Sequence, residues 1–174
     1  NPHVALLTLS GSSENAHGGW RCPADHLRDV VNSWRPDEGR GVYHALYDSL
    51  DDYEWEYALV TEHHESGYGH VHVAVFVDGN LSEEAFRPAI DAHLRECSIA
   101  GPEAHDYFHP DDAKRPISLR QIATDRNRHD AQEPQGDGYA DDGPVQNLGT
   151  YIGEYIGAHG EDLFERELGE LQFR

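Results

Sequence analysis

From His70 to Val77 the chain reads His70-Val71-His72-Val73-Ala74-Val75-Phe76-Val77, and this alternation leaves few folds open to it. Successive strand side chains point to opposite sides, so Val71, Val73, Val75 and Val77 share one face and His70 and His72 share the other. The valine face demands a packing partner, while the two imidazoles can share one metal ion. A lone His-x-His is weak evidence, because thirteen histidines among 174 residues also produce chance pairs. Its surroundings strengthen it. Tyr53 to Glu62 alternates as a preceding strand, and Ser66-Gly67-Tyr68-Gly69 reads as a turn between the two. With the turn centred on Gly67, Glu62 lies opposite His72 and His64 opposite His70, each pair reaching the same side. Three or four potential ligands therefore converge: His70, His72 and Glu62, with His64 in reserve.

A second signal lies about eighty residues on, in Asn147-Leu148-Gly149-Thr150-Tyr151-Ile152-Gly153-Glu154-Tyr155-Ile156-Gly157-Ala158-His159-Gly160. Capped by Asn147 and stopped by Gly160, this segment is expected to form a helix with Tyr151 and Tyr155 one turn apart on one face. Gly149, Gly153 and Gly157 make a stripe at the same spacing, although each interior glycine costs about 1 kcal/mol relative to alanine. Such a stripe suits close approach of a backbone or a ligand. Taken alone, the segment reads more readily as a small amphipathic helix with tyrosines packing at its edge, a balance that the histidine pair upstream reverses.

Together these motifs resemble the HUH endonuclease superfamily, specifically two-tyrosine rolling-circle replication initiators (Rep proteins). Leu6-Leu7-Thr8-Leu9-Ser10 matches the first motif, His70-Val71-His72 the second, and Tyr151 through Tyr155 the third, in the family's order, over roughly residues 4 to 158. Glu62, eight residues before His70, matches the third metal ligand of several Rep families. Many relatives carry a lysine just before the second tyrosine or three residues after it; here those positions hold Glu154 and Ala158. The resemblance implies site-specific nicking of single-stranded or hairpin origin DNA. It also implies a 5′-phosphotyrosine link, Tyr155 making the first cut and Tyr151 the terminating transfer. A host polymerase would extend the 3′-hydroxyl, with a helicase acting indirectly. A phenol ionises near pH ~10 and phosphodiesters resist attack, so a divalent ion is expected to assist. A carboxylate beside two imidazoles suits Mn²⁺ or Mg²⁺ better than three imidazoles would. His159 reads as a helix-terminal histidine complementing the dipole.

The charge fits that chemistry only in one setting. There are 33 acidic residues against 13 basic ones, a net charge of −20, and Lys114 is the only lysine. DNA binding ordinarily relies on clustered Lys and Arg. At ~1 M salt, however, the screening length falls to about 3 Å, leaving coordination, stacking and short hydrogen bonds to act. Acidic excess with arginine kept over lysine resembles proteins of extreme halophiles, haloarchaea above all, and places the chain in a high-salt cytosol. No apolar run approaches the ~20 residues of a membrane span. Cys22 and Cys97 lack metal or disulfide spacing, which fits a reducing compartment. The chain opens on Asn1 and contains no methionine, so a single domain over 1–174 cut from a longer protein is expected.

A coarse pass gives strands at 3–10, 53–64, 70–77 and 117–123, and helices at 24–34, 41–50 and 82–97. A polar loop from 124 to 144 precedes the tyrosine helix, and an amphipathic helix over 160–174 follows it. The fold class is α+β with a central antiparallel sheet, and the resemblance implies a ferredoxin-like arrangement of about five strands. Arg21, Arg115, Arg120, Arg126 and Arg128 are candidate DNA contacts, and Trp20 and Tyr68 candidate stacking surfaces, although each also reads as an ordinary surface residue. Three other functions compete. A histidine-triad nucleotide hydrolase needs a histidine where Ala74 stands. A cupin-type oxygenase wants a glutamate within 73–77, where there is none. A non-nicking origin-binding protein would have no need of both histidines and both tyrosines.

Overall fold

The computed structural model describes residues 1–15, 17–63, 66–111 and 114–122. Its elements follow the order β1 (Pro2–Leu9), α1 (Pro23–Asn32), α2 (Val42–Ser49), β2 (Glu54–His63), β3 (Gly69–Asp78), α3 (Arg87–Glu96) and β4 (Ile117–Gln121). The strands form one sheet in the order β2-β3-β1-β4, every neighbour antiparallel. This is the split β-α-β-β-α-β arrangement of ferredoxin-like folds, with the first and third strands at the centre. Four strands stand among the described residues, against the expected five or so.

The valine face carries the main core. Val71, Val73, Val75 and Val77 pack with Leu7 and Leu9 of β1, Val30 of α1, Leu46 of α2, and Phe86 and Ile90 at the start of α3. All three helices contribute to this layer because each has one apolar stripe to bury and the sheet offers one continuous apolar face. The other face holds a smaller cluster of Val4, Leu6 and Ala74, with Phe76 and Ile122 packed against it. The single helix expected over 82–97 is two elements. A short 3₁₀ turn spans Glu83–Phe86 and the α-helix begins at Arg87. Pro88 is the cause: inside a continuous helix its ring would clash with the carbonyl of Glu84, whereas in the first turn its missing N–H costs nothing. Among the described residues no helix is long and apolar enough to cross a membrane.

Ser10, which leaves β1, is held by two buried histidines. His93 Nε2–H donates to Ser10 O at 2.8 Å and its Nδ1 lies 2.7 Å from the Ser33 hydroxyl, while Ser10 N–H donates to His105 Nε2 at 3.4 Å. Burial pushes the His93 imidazole down from the ordinary 6.5 to about 4, helped by the nearby His105 and opposed by the Ser10 carbonyl. The unfolded chain therefore takes up a proton as pH falls through 6.5, whereas the folded chain resists until about 4. Stability from this residue is complete above 6.5 and drains away toward 4, on the order of 3 kcal/mol across the whole window. Urea midpoints at pH 7 and pH 5 should show His93→Gln less stable than wild type at pH 7 and less sensitive to acid. Equal acid sensitivity in the two proteins would mean that His93 carries none of it.

Candidate metal centre

Glu62, His70 and His72 come together on the face opposite the valine core. Glu62 Oε2 lies 2.9 Å from His70 Nε2 and 2.8 Å from His72 Nε2, and the two nitrogens are 2.8 Å apart. His72 is 6% exposed, and the side chains of His70 and Glu62 are 13% and 31% exposed. The cluster is therefore sunk into the sheet surface yet open on one side.

The register differs from the expected one. Glu62 pairs with His70, not His72, and Val60 pairs with His72. Pairing continues to His63 opposite Gly69, so the connection is centred on residue 66 and Gly67 falls after the apex, where its φ of 82° supplies a left-handed residue. Longer hairpin connections commonly place glycine there, in a left-handed position after a type I turn. The slip is two residues, so every side chain keeps its face. A Cβ at Gly69 would lie 2.9 Å from the Glu62 carbonyl oxygen, so glycine before His70 lets the strands close at the site. His64, the reserve ligand, lies outside the described residues, as do Tyr151, Tyr155, Arg126 and Arg128.

The three atoms fit a hard or borderline divalent cation. Ligands bound at ~2.1 Å and at right angles stand roughly 3 Å apart, close to the spacing seen here. Three Lewis-basic atoms this close repel one another unless a proton or a cation is shared among them. Burial works against ionisation of Glu62, but hydrogen bonds from His72 and His70, and their charge, outweigh it and lower its pKa, keeping an anionic ligand available.

Thr8 has a role that the sequence did not disclose. It stands directly opposite His72, and its Oγ1 lies 3.2 Å from His72 Nδ1. If Nε2 held a cation beside Glu62 and His70, Nδ1–H would donate to the threonine, and that bond would fix the tautomer and ring orientation. The strand motif around Thr8 signals its position but not its pairing with His72, which depends on the β1–β3 register. Thr8→Val keeps the side-chain shape and removes the acceptor, so Mn²⁺ affinity measured by calorimetry should fall roughly 10- to 100-fold. Unchanged affinity would reduce Thr8 to a packing residue.

The candidate DNA-contacting arginines scatter. Arg21 is ion-paired with Asp29, Arg115 Nε donates to His109 O, and Arg120 stands on β4 opposite Val4, on the histidine face. Trp20 and Tyr68 lie side by side, their ring centroids 6.3 Å apart.

Sheet order and ligand set together define an α+β domain of ferredoxin-like topology that carries a two-histidine, one-carboxylate cluster on one face. The chain belongs to the family described as "Putative rep protein (DUF1424)", which matches residues 2–166. It is 36% identical over 164 residues to an "Uncharacterized 36 kDa protein" of Halobacterium salinarum, a match covering 94% of this chain and 46% of that protein. A protein of the same name from Halobacterium sp. (strain GN101) is 34% identical over 161 residues, covering 88% of this chain and 43% of its own length. The chain thus spans less than half the length of these relatives. Both come from haloarchaea, in keeping with the acidic, lysine-poor composition. No solved structure matches the chain.

Proposed function

We propose that this chain is the nicking domain of a rolling-circle replication initiator of the HUH type, carried by a plasmid or virus of a halophilic archaeon. The observation that carries the reading is the Glu62–His70–His72 triangle on the face opposite the helices, in a chain of the rep family. Glu62, His70 and His72 would hold Mn²⁺ or Mg²⁺, which when bound supplies Lewis-acid polarisation of a phosphate oxygen. Thr8 keeps His72 oriented for that task. The Tyr155 phenolate oxygen attacks the scissile phosphorus, the bond from phosphorus to the 3′ oxygen breaks, and that oxygen leaves as a 3′-hydroxyl after taking up a proton. The 5′-phosphotyrosine conserves the bond for rejoining, and Tyr151 performs the later transfer. The substrate is single-stranded or hairpin origin DNA, with a host polymerase extending the released 3′-hydroxyl and a helicase opening the duplex.

An oligonucleotide assay tests this. Labelled candidate origin hairpins with Mn²⁺ in molar KCl should yield a covalent protein–DNA adduct that survives denaturation and disappears in excess chelator. A protein that binds those hairpins but never forms an adduct is an origin-binding protein instead.

A further inference from the structure

Next to the metal centre lies a cleft of ≈ 350 Å³, between the loop that follows β1 and the turn that joins β2 to β3. Its wall includes Ser10, Ser13, Trp20, His26, Tyr68 and the ligand His70. The volume is at the small end of ligand pockets, which run from about 300 to 1,000 Å³. Among the described residues that line it there is no Asp or Glu.

The aromatic pair in this wall is built and then left open. Tyr68 is immobilised: its hydroxyl donates to Arg21 O at 2.7 Å, and its ring meets the buried His26 ring edge-on at 5.2 Å. Trp20 stands beside it with 33° between the ring planes and is 72% exposed. Its loop is held by a bridge between Glu14 and Trp20 and by Arg21 N–H donating to Ser13 O. Fixed loop geometry that keeps an indole in water makes sense where a flat apolar partner covers it. His26 Nε2–H donates to Gly11 O at 3.0 Å, which leaves Nδ1 an acceptor, buried and without a hydrogen-bond partner among the described residues.

We infer that the cleft seats one unstacked nucleobase of the single strand, stacked on Trp20 beside the fixed Tyr68 ring. It thereby sets which phosphate reaches His70 and His72. This deepens the nicking reading and rests on it for the identity of the strand. Trp20 and Tyr68 act as positioning and specificity residues, not as groups in the bond exchange.

Binding without cleavage separates the two ideas. A fluorescein-labelled single-stranded origin oligonucleotide is titrated in molar KCl with excess chelator, and anisotropy is read for wild type, Trp20→Ala and Trp20→Phe. Removing one stacking ring should weaken binding roughly 5- to 150-fold, and phenylalanine should restore most of the loss. An abasic site moved along the oligonucleotide should weaken wild type at one position and leave Trp20→Ala indifferent there, as expected for two halves of one contact. Because Trp20 is largely exposed, an unchanged urea midpoint shows that the variant is folded. Equal affinity of wild type and Trp20→Ala, or an abasic effect that persists undiminished in Trp20→Ala, overturns the inference and leaves the nicking assay untouched. Trp20-dependent, base-specific binding in a protein that forms no adduct supports the cleft and removes the nuclease.

Discussion

His72→Ala is expected to lose metal-dependent DNA cleavage by about 10³-fold or more, the scale of the several kcal/mol that a Lewis-acidic cation contributes at a phosphate. His70→Ala should do the same. The fold should survive, because both rings sit on the face opposite the main core and neither belongs to the valine layer. Truncation removes a hydrogen bond at a partly open cluster on the sheet surface and no core packing, so the urea midpoint should move little. Calorimetry with Mn²⁺ is the second readout. Loss of cleavage accompanied by loss of Mn²⁺ binding, in a protein with an unchanged midpoint, ties the metal to the chemistry. A His72→Ala protein that cuts normally, or a wild type that cuts fully in excess chelator, would make the cluster a hydrogen-bonded patch of sheet surface.

How the ligand set became legible, and where it did not, follows from the period of the strand. Period-two alternation by itself puts His70 and His72 on one side, and it tolerates an error in the turn: an even slip leaves Glu62 on the histidine face. What periodicity could not supply was the direct partner of each residue. That depends on which residue of the 64–68 connection takes the left-handed conformation, and Gly67 takes it after the apex. The break before α3 was legible in principle, since Pro88 cannot lie deep inside a helix that begins at residue 82. His93 and His105 were not. A histidine among Ala89, Ile90 and Ala92 on a helix reads as an edge residue until the fold brings Ser33 and Ser10 against it. Trp20 and Tyr68 stand 48 positions apart in sequence, and their pairing depends on the loop after β1 folding toward the β2–β3 turn.

The acidic surface and the chemistry are linked through salt. A chain of −20 charge is held away from DNA in dilute buffer, where repulsion extends over tens of ångströms, and is released from that repulsion when screening contracts to about 3 Å at ~1 M. Contacts that survive such screening are short-ranged, and under the proposed function they are coordination at Glu62, His70 and His72, stacking, and hydrogen bonds. The sequence retains all three kinds of group while reducing lysine to a single residue. Haloarchaeal relatives are where that combination is expected.

Tyr155→Phe is expected to abolish the first covalent adduct on an origin oligonucleotide. Phenylalanine keeps the ring and removes only the attacking oxygen, so loss of the adduct reports chemistry. Tyr151→Phe should still form that adduct but fail to complete the second transfer, and the double substitution should be inert. The separation is expected from spacing: if the segment is helical as its sequence predicts, phenols four residues apart would lie one turn apart on one face, and under the proposed function each would take a turn at the same phosphate. The proposed function gives Tyr155 the first cut because the resemblance aligns it with the nucleophile of single-tyrosine relatives. Scoring is by denaturing gel with a 5′-labelled and a 3′-labelled strand in parallel, since a 5′-phosphotyrosine retains only the label downstream of the nick. If Tyr151→Phe alone blocks the first adduct, the two roles are exchanged. If the double substitution still becomes linked to DNA, neither phenol is the nucleophile, and the HUH mechanism fails even with the metal centre intact.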